Sequence, residues 1–224
     1  MKFKNCQRHW SFRYLFVSAA LIFGSVSSFA QHIIAVAPNK MNVLYIGVDN
    51  PVTVAASNSN DDRVTVSISG CEGSASKVST GIYNVRVAAV TDECSMNVYV
   101  DGKLVGTSNF RVRNLPAPYG TIGGFISGSN VAADKIKSQA GLGVYVRDFP
   151  FEVKYEVLGF TFSVEDDKRS IATANNEGAL FSSQARQYID EYVKAGKMVT
   201  IESIRVKDPA GRVIKLPSLV YYVK

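Results

Sequence analysis

Histidine and tryptophan are scarce in this sequence. Its 224 residues include two His and one Trp, and His9 and Trp10 stand near the start of the chain. His32 is therefore the one histidine available to the remainder. Because Ser-His-Asp and Cys-His sites require a histidine within the folded protein, the sequence argues against these hydrolase classes.

Patterns of other common catalytic sites are missing as well. No His, Cys or carboxylate spacing suits a catalytic zinc ion, and the glycines between Gly120 and Gly128 lack the spacing of a phosphate-binding loop. We interpret Asp166 and Asp167 as a solvated turn and not as a metal site. A carboxylate pair for glycoside hydrolysis remains open, because its members can be distant in the chain. The available carboxylates are Glu152, Glu156, Glu165, Asp190 and Glu202. We therefore predict that the protein is not an enzyme and has no cofactor and no metal.

Residues 1–30 are typical of a secretory signal peptide. A short apolar run over residues 15–26 precedes Ser28-Phe29-Ala30, which fits the small-x-small cleavage rule. Cleavage would leave Gln31 as the N terminus, beside His32, which we interpret as a solvated terminal residue. The run is too short and too rich in Ser for a good transmembrane helix. An uncleaved anchor is the alternative.

The apparent positive charge of the chain depends largely on this segment. Four of the 25 basic residues and none of the 19 acidic ones lie there, so 21 basic residues face 19 acidic ones elsewhere, a net charge of +2 instead of +6. The basic residues concerned are Lys2, Lys4, Arg8 and Arg13. Since no basic cluster or basic stripe with interleaved aromatic residues follows, we predict no nucleic-acid partner. No second apolar stretch is long enough to span a bilayer, so we predict no stable membrane insertion of the cleaved chain.

Cysteine is also rare. The sequence has three, of which Cys6 lies in the predicted signal peptide. Cys71 and Cys94 form an even pair in a chain that we expect to reach an oxidising compartment, so we predict a disulfide between them. Two reduced, buried thiols are the alternative. The disulfide would stabilise the fold by roughly 3 kcal/mol on the chain-entropy model.

The rest of the sequence predicts a mostly β protein with two domains. From residue 39 to residue 115, short alternating runs separated by turn signals are typical of an immunoglobulin-like β-sandwich, so the first domain is placed at residues 31–115. Asp101-Gly102 is a strong two-residue hairpin signal within it. The two prolines of Asn114–Pro118 predict a stiff linker, which favours one relative orientation of the domains.

The second domain, residues 116–224, is predicted to be β-rich (α+β) with one main helix. The helix is expected over Ser182–Lys194, from the capping serine, the helical spacing of apolar residues and Gly196 at its C-terminal end. Asp208-Pro209-Ala210-Gly211 predicts a hairpin turn. A long, half-buried strand is expected over Asp148–Glu165, with a bulge at Leu158-Gly159 where the alternation slips by one residue.

Several segments resemble the C-terminal half of the GldM/PorM family, periplasmic components of the gliding-motility and type IX secretion apparatus of Bacteroidetes. Residues 37–51 (APNKMNVLYIGVDNP) form the longest such segment. The others are residues 110–116 (FRVRNLP), residues 148–155 (DFPFEVKY) and residues 211–223, with the Lys215-Leu216-Pro217 step. Together they lie in both predicted domains, which would correspond to the third and fourth periplasmic domains of the family.

This resemblance implies a non-catalytic structural and protein-interaction module in the periplasm. It also implies an elongated homodimer whose last domain contacts ring components at the outer membrane. Because we find no counterpart of the family's cytoplasmic and earlier periplasmic parts, we expect a soluble module equivalent to the partner-contacting end. Candidate partner contacts are Tyr119, Phe149 and Phe151, although aromatic residues at such positions more often belong to a core. A β-sandwich protein that binds a glycan or another small ligand is the alternative function.

Cleavage after Ala30 can be tested by expressing the full chain in a Gram-negative host. We expect an exported protein that begins at Gln31, because small residues occupy both positions that signal peptidase reads. Ala30→Arg should block cleavage, whereas Gln31→Ala should not. The measurements are intact mass and N-terminal sequencing, and an unprocessed N terminus in the wild type would favour the uncleaved anchor instead.

Overall fold

The computed structural model describes residues 34–57 and 59–224, except for the side chains of residues 38–41. The signal peptide predicted for residues 1–30 and the terminal role predicted for His32 lie outside the described residues. Residues 34–224 belong to one compact unit. Within the described ranges, no helix is long and apolar enough to cross a membrane.

The described residues of the first domain form seven strands and one 3-10 helix, Asp61–Arg63. The strands are β1 (Ile34–Tyr45), β2 (Asn50–Ala56), β3 (Val64–Ser69), β4 (Gly73–Ser79), β5 (Ile82–Val87), β6 (Thr91–Val100) and β7 (Lys103–Arg113). Their pairing order is β3-β6-β7-β1-β2-β5-β4. Strand β1 changes partner along its length, since residues 34–38 pair antiparallel with β2 and residues 43–45 pair parallel with β7. It therefore joins two sheets.

The two sheets enclose a single apolar core. Val52 and Val54 enter it from β2, and Met96 and Val98 enter it from β6, in each case with the two-residue period of a strand that has one buried face. The Tyr83 hydroxyl donates to the Val64 carbonyl, 3.0 Å away across the core. This arrangement agrees with the mostly β fold and the sandwich expected from the sequence.

A disulfide connects Cys71 with Cys94, as the sequence predicts, and both residues are buried. Cys71 lies in the turn between β3 and β4, where the chain passes from one sheet to the other, and Cys94 lies on β6. Their Cα atoms are 5.1 Å apart. The bridge thus fixes this crossover to the core and limits the freedom of the unfolded chain.

Eight strands and two helices form the second domain. The strands are β8 (Tyr119–Thr121), β9 (Asn130–Val131), β10 (Gly143–Tyr145), β11 (Glu156–Glu165), β12 (Ile171–Glu177), β13 (Met198–Lys207), β14 (Val213–Lys215) and β15 (Leu219–Val223). The helices are α1 (Ala133–Lys137) and α2 (Ser183–Tyr192). Strands β12-β11-β13-β15-β9 run in this order through a sheet in which β14 also pairs with β13, and β8 pairs separately with β10.

Helix α2 is the main helix predicted from the sequence. The Ser182 hydroxyl accepts a hydrogen bond from the Ala185 amide at 3.2 Å, which is the expected N-terminal cap. Ala185, Ile189 and Val193 are fully buried on the side that faces the sheet. Gly196 follows with φ +85°, a conformation that favours glycine.

The long strand predicted for Asp148–Glu165 is wrong in its first half, because β11 begins at Glu156. Pro150 has no amide hydrogen for a ladder, and Asp148 has φ +52°, so this stretch does not continue a regular strand. The predicted bulge is confirmed, since the register with β13 shifts on both sides of Gly159. A Cβ atom at Gly159 would lie 2.8 Å from the Asn176 carbonyl oxygen, which explains the glycine.

Tyr221 is fully buried in the apolar core of the second domain, where it makes two polar contacts. Its hydroxyl accepts a hydrogen bond from the Ile122 amide at 3.1 Å and donates to the Phe125 carbonyl at 3.0 Å. Burial raises the pKa of Tyr221, so the hydroxyl stays neutral in the folded protein. It thereby holds the loop that follows β8 against β15.

Tyr221→Phe should lower the free energy of unfolding by about 1–3 kcal/mol, because the buried Ile122 amide loses its acceptor and the Phe125 carbonyl keeps only the Thr121 hydroxyl as a donor. The exposed neighbour Tyr222 gives the matched control, and Tyr222→Phe should change the free energy of unfolding by less than about 0.5 kcal/mol. Urea denaturation measures the free energy of unfolding of both variants.

The stabilisation from Tyr221 should be present below about pH 10 and decline as the pH rises through the raised pKa of Tyr221, since only the unfolded state then ionises readily. Equal effects of the two substitutions would contradict this role.

Candidate interaction surface at the domain junction

The linker between the two domains is held at its backbone by hydrogen bonds. Leu115 is buried, and its carbonyl accepts a hydrogen bond from Arg212 Nη2 at 2.8 Å. The next carbonyl, that of Pro116, accepts one from the Tyr155 hydroxyl at 2.6 Å. Burial and the nearby Asp208 carboxylate raise the pKa of Tyr155, so this hydroxyl remains a donor. The second domain thus fixes both carbonyls.

Arg212 is oriented for this contact by the predicted turn at residues 208–211. Its Nε donates to Asp208 Oδ2 at 3.0 Å, and its amide donates to Asp208 Oδ1 at 2.8 Å. Asp208 is only 4% exposed, so its carboxylate requires these donors. The same turn approaches the first domain closely, because a Cβ atom at Gly47 would lie 2.6 Å from the Ala210 amide nitrogen.

Three aromatic rings meet at the junction. The Tyr45 ring packs edge-on against Phe149, with centroids 4.9 Å apart, and against Phe151, with centroids 5.6 Å apart. Asn50 fixes the backbone of Tyr45, since its side chain accepts from the Tyr45 amide at 2.8 Å and donates to the Tyr45 carbonyl at 2.9 Å. Edge-to-face pairs of this kind favour a defined geometry, so the domains are joined by packing as well as by the linker.

The three aromatic residues predicted as partner contacts lie in different environments. Tyr119 is 56% exposed, stacks at a tilt on Tyr145 and lies beneath Arg147, whose guanidinium carbon is 5.5 Å from the ring centroid. Phe149 and Phe151 are partly buried against Tyr45. The structure therefore brings the two phenylalanines together in the junction and leaves Tyr119 available at the surface.

Two cavities meet at Tyr119. One has a volume of about 320 Å³ and is lined by linker residues, Ile126 and residues 215–219. The other has a volume of about 480 Å³ and lies between the domains, with Tyr45 and Phe149 in its wall. Ala117 and Tyr119 line both. We call the two together the linker groove.

Two of the carboxylates considered for glycoside hydrolysis lie far apart and form ion pairs. Glu156 and Glu165 lie at opposite ends of β11 and pair with Lys207 and Lys197, respectively. Asp166 accepts from the amides of residues 168 and 170, both at 2.8 Å, as expected for a charged turn. In the part of the chain that the structure describes, no group of three or more His, Cys, Asp or Glu side chains is placed to hold a metal ion.

Sequence reasoning did not single out the polar residues of the junction. Asn50 and Arg212 lie in segments that resemble the family, but no local pattern assigned a role to either side chain. The Leu115 carbonyl that Arg212 binds is 97 residues away in the chain. Of the cations that line the linker groove, Arg147 carried no local motif, and Arg113 and Lys215 stood out only as members of segments that resemble the family. The proximity of Asp208 to Arg212 in the sequence was the one available signal, since an acidic residue before a turn often pairs with the chain just after it.

These features define a protein made of two β-rich domains joined in tandem by a fixed linker. The family model described as the GldM third domain matches residues 33–113, and the model described as the GldM C-terminal domain matches residues 116–224. The chain therefore belongs to the GldM family, and the resemblance inferred from the sequence is confirmed.

Comparison with curated proteins gives no match. Among solved structures, the chain is similar to one titled "Structure of surface layer protein SbsC, domains 6-7 (monoclinic form)", with 14% identity over 87% of this chain and 98% of that chain. The TM-score is 0.30, and this likeness carries no argument about fold or function.

Arg212→Ala should lower the free energy of unfolding by about 1–3 kcal/mol, because it removes the side-chain donor to Asp208 Oδ2 and the donor to the Leu115 carbonyl, while the amide of residue 212 still binds Asp208 Oδ1. Arg111→Ala, at an exposed position on β7, is the control and should change the free energy of unfolding by less than about 0.5 kcal/mol. Urea denaturation gives the stabilities, and hydrogen exchange at residues 117 and 119 should accelerate only in Arg212→Ala. Unchanged exchange there would show that the linker is held without Arg212.

Proposed function

We propose that this protein is a non-catalytic, periplasmic structural and protein-interaction module, equivalent to the partner-contacting end of the GldM/PorM component of type IX secretion and gliding motility. The observation that carries the proposal is the fixed junction between two domains that both match the family. Arg212 and Tyr155 hold the linker, and Tyr45 packs against Phe149 and Phe151. The module thus presents one preformed surface.

A preformed surface suits a binding role for a physical reason. Ordering flexible segments on association consumes part of the interaction energy, and a surface that is already ordered avoids this loss. Tyr and Arg are enriched among residues that dominate protein interfaces. Tyr119 with Arg147 above its ring is such a pair, and it lies beside the linker that the two domains fix.

The proposed location rests on the signal peptide predicted for residues 1–30 and on the disulfide. A Cys71–Cys94 bridge persists in an oxidising compartment and is uncommon in a reducing cytosol. Export of the chain to the periplasm, with removal of residues 1–30, accounts for both features. The partner would then be a protein of the cell envelope, for which ring components at the outer membrane are the candidates that the family suggests.

Homodimerisation is part of the proposal as well. In the described sheets, β4 and β12 are terminal strands, each with one edge that has no neighbouring strand. Such edges accept an additional strand from another molecule. Either edge would allow two copies to join while the linker groove stays accessible.

Binding of a glycan or another small ligand is the second candidate function. Tyr119 and Tyr145 offer an aromatic pair next to a cavity of about 320 Å³, which is within the usual size range of small-ligand sites. A glycan array probed with the purified protein tests this function, and an array without hits would remove it.

The interaction role can be tested by affinity capture from a solubilised envelope extract of the native organism. We expect the wild type to recover a defined protein, and Tyr119→Ala to recover much less of it, because the exposed ring is lost. Tyr222→Ala, which removes an exposed tyrosine on β15, is the matched control and should behave like the wild type. The readout is quantitative mass spectrometry. Recovery of no protein by the wild type over a range of salt concentrations would count against the proposed function.

A further inference from the structure

The linker groove is lined by positive charge. Arg113, Arg147 and Lys215 contribute to its walls, and no Asp or Glu does. Arg113 has a counter-ion nearby, since it pairs with Asp92. Neither Arg147 nor Lys215 forms an ion pair with any carboxylate among the described residues. Asp148 lies close enough to favour the charged form of Arg147, but the walls of the groove contain three cations and no acidic residue, although the chain outside residues 1–30 has a net charge of only +2.

A second cation lies next to Lys215. In the antiparallel pairing of β13 with β14, Lys215 is directly opposite Arg205. Residues in this relation point to the same face of a sheet, and like charges at such positions destabilise the pair. Within residues 34–57 and 59–224, Arg205 has no ion-pair partner either. An anion bound at this edge would convert an unfavourable pair into a favourable one.

The groove also has apolar walls that suit an extended chain. Tyr119 and Ile126 are both more than half exposed and line it together with Pro118 and Pro217. Aromatic side chains line the grooves that bind extended, proline-rich peptides, and such peptides lose little conformational entropy on binding because they are already extended. A free phosphate would satisfy the cations but would leave these walls in contact with water.

We infer that the linker groove binds an extended, acidic peptide segment of a protein partner. Carboxylates of the segment pair with Arg147, Lys215 and Arg205, and its apolar or proline residues contact Tyr119 and Ile126. The inference rests on the proposed function, because it names the chemistry of the partner that the interaction module recognises. Charge complementarity distinguishes this occupant from a neutral peptide or a second basic surface.

Fluorescence polarisation with a labelled peptide of about ten residues, in which Glu alternates with Pro, tests the inference. The full, purified protein should bind this probe at least about tenfold more tightly than the same peptide with Gln in place of Glu. The affinity for the Glu peptide should fall as the salt concentration rises from about 50 mM to about 300 mM, because screening weakens exposed ion pairs.

The variants Arg147→Glu and Lys215→Glu should each weaken binding of the Glu peptide by about tenfold or more. Lys103→Glu makes the same charge change at an exposed position at the start of β7, away from the groove, and should leave binding within about twofold of the wild type. Circular dichroism confirms that each variant is folded. Equal affinity for the Glu and Gln peptides, or equal losses in all three variants, would overturn the inference.

Failure of the acidic-peptide inference can be distinguished from failure of the proposed function. This requires the envelope capture to be repeated with the Lys215→Glu variant. Loss of the wild-type partner in this variant supports the inference. Full retention of that partner overturns the inference and leaves the proposed function intact. If the wild type captures no protein but binds the Glu peptide with the stated selectivity, the peptide site stands and the proposed function fails.

Discussion

The contact on which the two-domain arrangement depends is the one between Arg212 and the Leu115 carbonyl. Arg212 is held in place by the buried Asp208 carboxylate, and Tyr155 binds the next carbonyl of the linker. A linker of this kind would otherwise expose polar backbone groups that water solvates equally well in many conformations. Because the donors come from the second domain, the direction in which the linker leaves that domain is defined.

The remaining features of the junction follow from this constraint. Each domain has its own apolar core, so neither requires the other to bury its strands. With the linker fixed, however, the turn at Gly47 meets Ala210, and the Tyr45 ring meets the two phenylalanines. Tyr119 is left at the surface between two cavities. The surface proposed for partner binding is therefore a product of how the domains are joined.

Much of the fold could be predicted from the sequence where the signal is local. Asp101-Gly102 forms the expected hairpin turn, with φ values of +49° and +76°, because a turn with positive φ at both residues matches the twist of the adjoining strands. Helix α2 and its Ser182 cap were predicted for the same reason. The first half of the strand predicted from Asp148 was wrong, because Phe149 and Phe151 alternate like strand residues but pack against Tyr45.

The sequence by itself determined the strand periodicity, the turns, the helix cap and the cysteine pair, since each depends on residues that are close in the chain or few in number. Only the tertiary structure decided that Tyr119 stays exposed while Phe149 and Phe151 are partly buried. It also decided that Arg113, Arg147 and Lys215 line one groove. The physical reason is that these positions are joined by domain packing and strand pairing over long sequence distances, for which the chain carries no local pattern.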